Sequence, residues 1–187
     1  MEILFATSNR NKFAEAAKML GERNIAVKHF PFEHNEIRSD SLEDIAREAV
    51  EEAYRRCAKP VFVEDSGLFL DGLAGFPGTY SAWVQKKIGN AGILRLMKGV
   101  ERRNAHFAAC IAYHDGEKIS TFTGKCEGTI AGEAHGKGGF GYDPIFVPKG
   151  HSQTFAENIQ LKNNLSHRYN ALLEFSENLI PKGSHSA

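Results

Sequence analysis

The feature that most constrains the fold is a short apolar strand that runs directly into the start of a helix. Residues 2–6 have the composition of a strand, and Asn9 stands where a helix N-cap is expected. Apolar side chains then recur at helical spacing up to Gly21, namely Phe13, Ala16, Ala17 and Leu20. A strand that leads straight into a helix is the usual start of an α/β domain.

Three further helices are predicted. Residues 42–57 carry an unbroken helical stripe, with Ser41 as the N-cap and Asp44 in the capping-box position. Another helix is expected between residues 80 and 97, and a final one from about Ser166, with Leu172, Phe175, Ser176 and Leu179 on one face.

Further strands are predicted at residues 61–63, 105–114, 118–124 and 145–147. We expect the first of them to end at Glu64-Asp65. The dipeptide Asp115-Gly116 predicts a two-residue hairpin turn. Together these elements predict an α/β fold with a mixed sheet flanked by helices, in one domain over residues 1–182. Residues 183–187 are expected to form a loose tail.

Composition excludes several classes of protein. The 187 residues include 23 basic and 23 acidic side chains, and this balance argues against a dedicated nucleic-acid-binding protein. Apolar runs stay well short of the roughly 18 residues of a membrane span, and we expect neither a span nor a signal peptide. The three widely spaced cysteines, Cys57, Cys110 and Cys126, are expected to be reduced, mostly buried thiols in a cytoplasmic protein.

Several common motifs are absent. The sequence has no P-loop, no H-E-x-x-H and no C-x-x-C. Gly136, Gly138 and Gly141 match G-x-G-x-x-G, but Pro144 follows and no helical pattern opens there. The dinucleotide-binding interpretation of these glycines therefore fails.

Hydroxyl, amide and basic side chains lie together on the turn between the first strand and the first helix. They are Thr7, Ser8, Asn9, Arg10, Asn11 and Lys12. Unpaired backbone N–H groups at a helix N-terminus favour anions, so this segment suits phosphate oxygens. From these residues alone, an ordinary helix cap with a surface lysine is an equal alternative.

Carboxylates supply a second candidate site. Glu64 and Asp65 follow a buried strand, and strand ends in α/β sheets face the ligand crevice. One or two carboxylates together with substrate phosphates suit Mg²⁺. Glu36 is a further candidate carboxylate. The alternative is an acidic pair that begins a surface loop.

A glycine-flanked aromatic residue supplies a third candidate site. Phe140 lies between glycines, where its ring can stack on a flat ligand, and Asp143 can accept hydrogen bonds from ring N–H groups. A tight turn around a core Phe is the alternative. Lys162, His167 and Arg168 carry donors suited to a carbonyl or phosphate oxygen, although a surface helix start has the same composition.

Taken together, these segments resemble the family of inosine/xanthosine triphosphate pyrophosphatases. Six motifs carry the resemblance in order over about residues 1–180: T-S-N-R-N-K at 7–12, V-E-D-S-G-L at 63–68, G-F-P-G-T-Y-S at 75–81, G-F-G-Y-D-P-I-F at 139–146, T-F-A-E at 154–157 and L-S-H-R at 165–168. The short loops look most like the archaeal members.

The resemblance implies a fold and a reaction. The fold is a long, mixed, twisted sheet flanked by helices, in two lobes with the nucleotide in the cleft between them, and members are usually homodimers. The reaction is Mg²⁺-dependent hydrolysis of ITP, dITP or XTP between the α- and β-phosphates. It yields a nucleoside monophosphate and pyrophosphate, and it clears deaminated purines from nucleotide pools.

The resemblance also implies residue roles. The turn from Thr7 to Lys12 binds the triphosphate, Asp65 is the general base and a metal ligand, and Glu36 is a second metal ligand. Ser66 contacts the substrate. The remaining contacts to base and phosphates come from Phe140, Gly141, Tyr142, Asp143, Lys162, His167 and Arg168.

Charge and hydrogen bonding agree with this assignment. On a chain of zero net charge, Lys12, Lys162, Arg168 and Mg²⁺ would attract the triphosphate. Donors at purine C6 would favour a keto group over the amino group of adenine. How guanine is rejected stays open. Two alternatives also remain: a pyrophosphatase for pyrimidine or modified nucleotides, and a nucleotide-binding module without catalysis.

Overall fold

The N-terminal strand and helix lie where the sequence predicts them. In the computed structural model, which describes residues 2–179, strand β1 spans Glu2–Ala6 and helix α1 spans Arg10–Gly21. The Asn9 side chain accepts hydrogen bonds from two backbone N–H groups of the first helical turn, so the predicted N-cap is confirmed. The predicted tail at residues 183–187 lies outside the described residues.

Within residues 2–179 the sheet has seven strands in the order β2-β1-β3-β5-β6-β7, and β4 pairs with β3. The further strands are β2 Ala26–Phe30, β3 Val61–Leu70, β4 Pro77–Gly78, β5 Asn104–His114, β6 Ile119–Ile130 and β7 Phe146–Pro148. The further helices are α2 Leu42–Cys57, α3 Ser81–Leu96, α4 Ile159–Leu165 and α5 His167–Leu179. None of the helices in this part of the chain is both long and apolar enough to cross a bilayer.

Strands β2, β1 and β3 run parallel, whereas all the other pairings are antiparallel. The predicted mixed sheet with flanking helices is therefore confirmed. Adjacent residues of a strand point to opposite faces. Accordingly, Phe62 packs with α1 and α5 on one face, whereas Val61 and Val63 pack with α2 on the other. A separate core lies beside α3, around Ile93 and Phe155.

The middle of β3 has one open edge, and this gap creates the site. On that edge β1 pairs only with Val61 and Phe62, and β4 pairs only with Leu68 and Phe69. The five residues between them lack a neighbouring strand on that side. Gly67 ends the gap, since a Cβ there would lie 2.3 Å from the carbonyl oxygen of Gly78. A cleft can therefore reach both faces of the sheet at this point.

The prediction that the strand ends at Glu64-Asp65 is wrong. Both residues lie inside β3, because β5 continues to pair with it beyond the end of β1. Glu64 is opposite Ile111 and Asp65 is opposite Cys110. The acidic pair thus projects from a strand and does not begin a surface loop.

The predicted two-residue hairpin is also wrong. Strands β5 and β6 pair up to His114 and Ile119, so four residues form the loop. The Asp115 carboxylate accepts the backbone N–H groups of Glu117 and Lys118 at 2.8 and 2.9 Å, which stabilises the longer turn. Strand β6 also runs past its predicted end at Gly124. There the missing side chain lets the backbone of α5 approach closely.

Candidate active site

A cavity of about 650 Å³ lies at the open edge of β3. It receives side chains from the turn after β1, the loop after β2, the middle of β3, the loop before β7 and the start of α5. Fifteen of the sequence-predicted residues line it: Thr7, Ser8, Asn9, Lys12, Glu36, Glu64, Asp65, Ser66, Phe140, Gly141, Tyr142, Asp143, Lys162, His167 and Arg168. Arg10 and Asn11 do not line it; both are exposed on the first turn of α1.

The turn after β1 is held from several directions. Thr7 N–H donates to the Phe30 carbonyl at 3.1 Å, and Thr7 Oγ1 accepts the N–H of Asn9 at 3.1 Å. His29 Nε2 lies 2.8 Å from the Thr7 carbonyl, to which it donates. The turn therefore presents the N-terminus of α1 to the cavity in a fixed conformation, which suits an anion.

Six charged side chains of alternating sign form a chain of ion pairs along one wall of the cavity, and all but Glu15 line it. They are, in order, Lys12, Glu64, Arg168, Glu15, Lys162 and Asp143. Arg168 Nη1 and Lys162 Nζ both contact the Glu15 carboxylate, at 2.6 and 2.8 Å. Lys162 also lies 2.7 Å from Asp143 Oδ2. Lys12 Nζ donates to the backbone carbonyl of Glu64 at 3.0 Å, on the open edge of the strand.

Sequence analysis expects Lys12, Lys162 and Arg168 to attract the triphosphate, and it does not indicate that all three are paired with carboxylates. Each has at least one carboxylate partner, so the wall carries no net charge from these six groups. Burial opposes the ionisation of Glu64, yet Arg168 and Lys12 hold the pKa of that carboxyl well below its ordinary value. The wall offers directed N–H donors rather than a surplus of positive charge.

Among the described residues that line the cavity, Asp65 has a buried carboxylate oxygen, Oδ2, without a hydrogen-bond partner. Burial raises the pKa of Asp65 to about 6; Lys12 opposes this rise, and the Glu36 carboxylate adds to it. Asp65 and Glu36 are therefore close enough to interact, although they come from a central strand and an exposed loop.

These two carboxylates fit a divalent cation that prefers oxygen ligands. Within residues 2–179, no group of three or more His, Cys, Asp or Glu side chains is placed to hold a metal. Two carboxylates are too few for an all-protein cage, but Mg²⁺ is commonly held by one or two carboxylates with substrate phosphates and water. The unpaired Asp65 oxygen is available as a ligand for such an ion.

The glycine-flanked loop is built around Asp143. Its Oδ2 accepts the N–H of Phe140 at 2.7 Å, and a Cβ at Gly139 would clash with it at 2.1 Å. Gly139 also has a φ of +68°, which favours glycine. The Phe140 ring is half-buried, with Lys162 Nζ 4.0 Å from its centroid. Because Asp143 already holds the loop and Lys162, its oxygens are less free for a ligand than the sequence indicates.

His167 is a neutral wall residue. Burial lowers the pKa of its imidazole well below the ordinary value, and the nearby Arg168 lowers it further. The ring stacks on Phe107 with centroids 4.6 Å apart, and its Nδ1 has no partner. His167 is therefore uncharged, although sequence analysis groups it with the cations Lys162 and Arg168 as a hydrogen-bond donor.

Sequence analysis missed Glu15, Gln85 and Asn90. Glu15 links Arg168 and Lys162; the detectable signal is its position three residues after Lys12, on the same helix face. Gln85 and Asn90 both donate to the carbonyl of Gly141, at 2.7 and 3.1 Å. No sequence pattern identifies these two amides.

Comparison with known proteins gives concordant matches. Residues 3–178 match the model of the Ham1 family. The dITP/XTP pyrophosphatase of Thermococcus kodakarensis is 46% identical over 94% of this chain and 96% of that protein. The dITP/XTP pyrophosphatase of Methanopyrus kandleri is also 46% identical, over 95% of each chain. A solved structure of a HAM1 protein from Coxiella burnetii matches with a TM-score of 0.81 and 32% identity, over 96% of this chain and 98% of that one.

Proposed function

The chain belongs to the Ham1 family, and from that premise we propose how its cavity performs the family's reaction. The protein hydrolyses non-standard purine nucleoside triphosphates, dITP and XTP among them, to the monophosphate and pyrophosphate. One observation carries the assignment of the site. A helix N-terminus, an unpaired carboxylate oxygen and a glycine-flanked aromatic ring converge on a single cavity.

We propose that the phosphates lie at the turn after β1. The N-terminus of α1 and the hydroxyl groups of Thr7 and Ser8 offer donors there, and Lys12 lies between this turn and Glu64. The negative charge of the triphosphate would compete with Glu64 for Lys12. Triphosphate binding would therefore rearrange the ion-pair chain, because Lys12 already has a carboxylate partner.

Asp65 is proposed as the general base. It would take a proton from a water molecule whose oxygen attacks the α-phosphorus, and the bond to the bridging oxygen of the β-phosphate breaks as pyrophosphate leaves. The unpaired Oδ2 gives it an acceptor for that water, and a pKa of about 6 suits a base near neutral pH. Ser66 is the adjacent polar contact.

Glu36 and Asp65 would hold Mg²⁺ together with phosphate oxygens. When bound, the ion would neutralise phosphate charge and lower the pKa of a coordinated water. Because Glu36 belongs to an exposed loop, its carboxylate can reach the ion without moving the sheet.

The purine is proposed to stack on Phe140. Lys162 lies against that ring, so its ammonium group can donate to the 6-keto oxygen of hypoxanthine or xanthine. His167 and Arg168 close the wall beside it. Gly141, Tyr142 and Asp143 shape the loop; the Tyr142 hydroxyl donates to the Ser81 carbonyl at 2.9 Å.

We also propose that residues 1–182 act as one domain and that the protein is a homodimer of the cytoplasm, where nucleotide pools are found. Exposed aromatic and aliphatic side chains on α3 and the turn before it support the dimer: Phe76, Tyr80, Trp83 and Ile88. Light scattering after gel filtration should give twice the chain mass, and the monomer mass would contradict the proposal.

A substrate panel tests the function. Pyrophosphate release is measured from ITP, XTP, dITP, GTP, ATP and a pyrimidine triphosphate, with Mg²⁺ and with a chelator. We expect the first three to be hydrolysed with the highest kcat/KM, and the chelator to abolish the reaction. Preference for the pyrimidine nucleotide would favour the alternative pyrophosphatase. Binding without pyrophosphate release would favour a non-catalytic module.

A further inference from the structure

The side chain of Gln85 is an unassigned part of the cavity. It comes from α3, and it lines the same space as Phe140 and Lys162. Its Nε2 donates to the Gly141 carbonyl at 2.7 Å and lies 3.3 Å from Asn90 Oδ1. Gln85 thus fixes the position of Gly141, the residue after Phe140, on which the base is proposed to stack.

The contacts decide which way this amide points. A backbone carbonyl only accepts, so the Gln85 atom at 2.7 Å from it must be the NH₂ group. The other end of the amide is therefore the carbonyl oxygen. This Oε1 is shielded from solvent and has no hydrogen-bond partner. Buried acceptors are rarely left unpaired in folded proteins, so an unpaired one in a cavity wall indicates that a ligand completes it.

We propose that Gln85 determines specificity by accepting a hydrogen bond from N1–H of a 6-keto purine. The inference rests on the proposed function and names one contact within it. Hypoxanthine and xanthine carry N1–H next to the 6-keto oxygen. Lys162 would donate a hydrogen bond to that oxygen, while Gln85 would accept one from the neighbouring nitrogen. The base would thus have to offer an acceptor at position 6 and a donor at position 1.

Adenine fails both contacts. Its N1 carries no hydrogen and would face the Gln85 oxygen as acceptor against acceptor, and its 6-amino group would face the Lys162 ammonium as donor against donor. Sites that hydrogen-bond a polar group reject analogues that lack it more strongly than apolar pockets do. Guanine shares N1–H, so this contact selects 6-keto purines as a class.

The test compares ITP with 1-methyl-ITP, which keeps the 6-keto group and lacks N1–H. Wild-type protein should prefer ITP by about tenfold or more in kcat/KM, equivalent to about 1.4 kcal/mol. Gln85→Met keeps the length of the side chain but cannot form the hydrogen bond. We expect this variant to bring the ratio close to one, without the extra space that a smaller side chain would create.

Tyr142→Phe is the matched control, because the Tyr142 hydroxyl ties the same loop to the Ser81 carbonyl through a bond that does not involve Gln85. It should lower kcat/KM for both nucleotides equally and keep their ratio. An unchanged ratio in Gln85→Met overturns the inference. So does a Gln85→Met variant that changes the ratio of ITP to dITP instead, because the oxygen would then contact the ribose. A wild-type protein inactive on ITP contradicts the proposed function itself.

Discussion

Arg168 and Glu64, 104 positions apart in the sequence, form a two-point ion pair in the wall of the cavity. Nε lies 2.5 Å from one carboxylate oxygen and Nη2 lies 3.1 Å from the other. This geometry fixes the plane of the guanidinium group. The remaining Nη1 contacts Glu15 at 2.6 Å. Arg168 is therefore a rigid part of the wall rather than a mobile cation.

Glu15 should be important for stability, because it is the carboxylate shared by Arg168 and Lys162. Glu15→Gln leaves two buried cations with one negative partner fewer. Breaking a fully buried pair costs about 3–5 kcal/mol, and Glu15 is partly exposed, so we expect a loss of about 2–3 kcal/mol in the free energy of unfolding. Urea denaturation measures it.

Glu2 offers the matched control for this substitution. It pairs with Lys28 at 3.0 Å, but both side chains are more than half exposed. Glu2→Gln should therefore change stability by less than about 1 kcal/mol. If the two variants lose equal stability, the ion-pair chain is no more important than a surface pair.

Asp65→Asn should lower kcat by at least about 10²-fold, the lower end of general acid–base effects. The amide keeps the size of the side chain but cannot take a proton from water. Steady-state kinetics at saturating Mg²⁺ and ITP measure the loss. Asp71→Asn, outside the cavity, is the control and should keep wild-type kcat. Near wild-type turnover by Asp65→Asn would contradict the assignment of the base.

The positions of α1, α2, α3 and α5 could be predicted because each shows a local helical periodicity. The stripe from Leu42 to Cys57 matches α2 at both ends, and Ser41 caps it through a hydrogen bond to the Asp44 N–H. The capping box itself is incomplete, since the Asp44 carboxylate accepts from Ser39 instead. Strand β2 and helix α4 were not predicted, because Ala26–Phe30 and Ile159–Leu165 are too short to show a clear period.

Sequence analysis could predict which residues line the cavity better than it could predict which of them pair with one another. Motif residues from five segments meet in the cavity, but nothing local to Glu64 indicates that Arg168 is its partner. The length of β3 depends on β5, and the amide of Gln85 depends on where the loop at Gly141 folds back. These are contacts between distant segments, which residue spacing along one segment does not encode.

His167 should make stability pH-dependent. Its pKa is near 6.5 in the unfolded chain and well below that in the folded one, because burial disfavours the charged ring. Above pH 6.5 the imidazole is mostly neutral in both states, so His167 adds little to the pH dependence of stability. As the pH falls below 6.5 the unfolded state binds a proton that the folded state does not, so stability is lost.

The size of the effect follows from this linkage. Between pH 7 and pH 5.5, wild-type protein should lose about 1 kcal/mol more free energy of unfolding than His167→Gln. Urea denaturation at each pH measures the difference. The exposed His151 is the control, and His151→Gln should lose as much as wild type. Parallel pH profiles for wild type and His167→Gln would show that the buried ring does not resist protonation.

Phe140→Ala should raise KM for ITP more than it lowers kcat. Base stacking on an aromatic side chain is worth about 1–3 kcal/mol, and it acts alike on bound substrate and transition state. The half-buried ring packs against Lys162 rather than deep in the core, so the variant should fold. Leu96→Ala removes an exposed apolar side chain outside the cavity and should leave KM unchanged. A Phe140→Ala protein that fails to fold, or keeps wild-type KM, would place the ring in the core and not under the base.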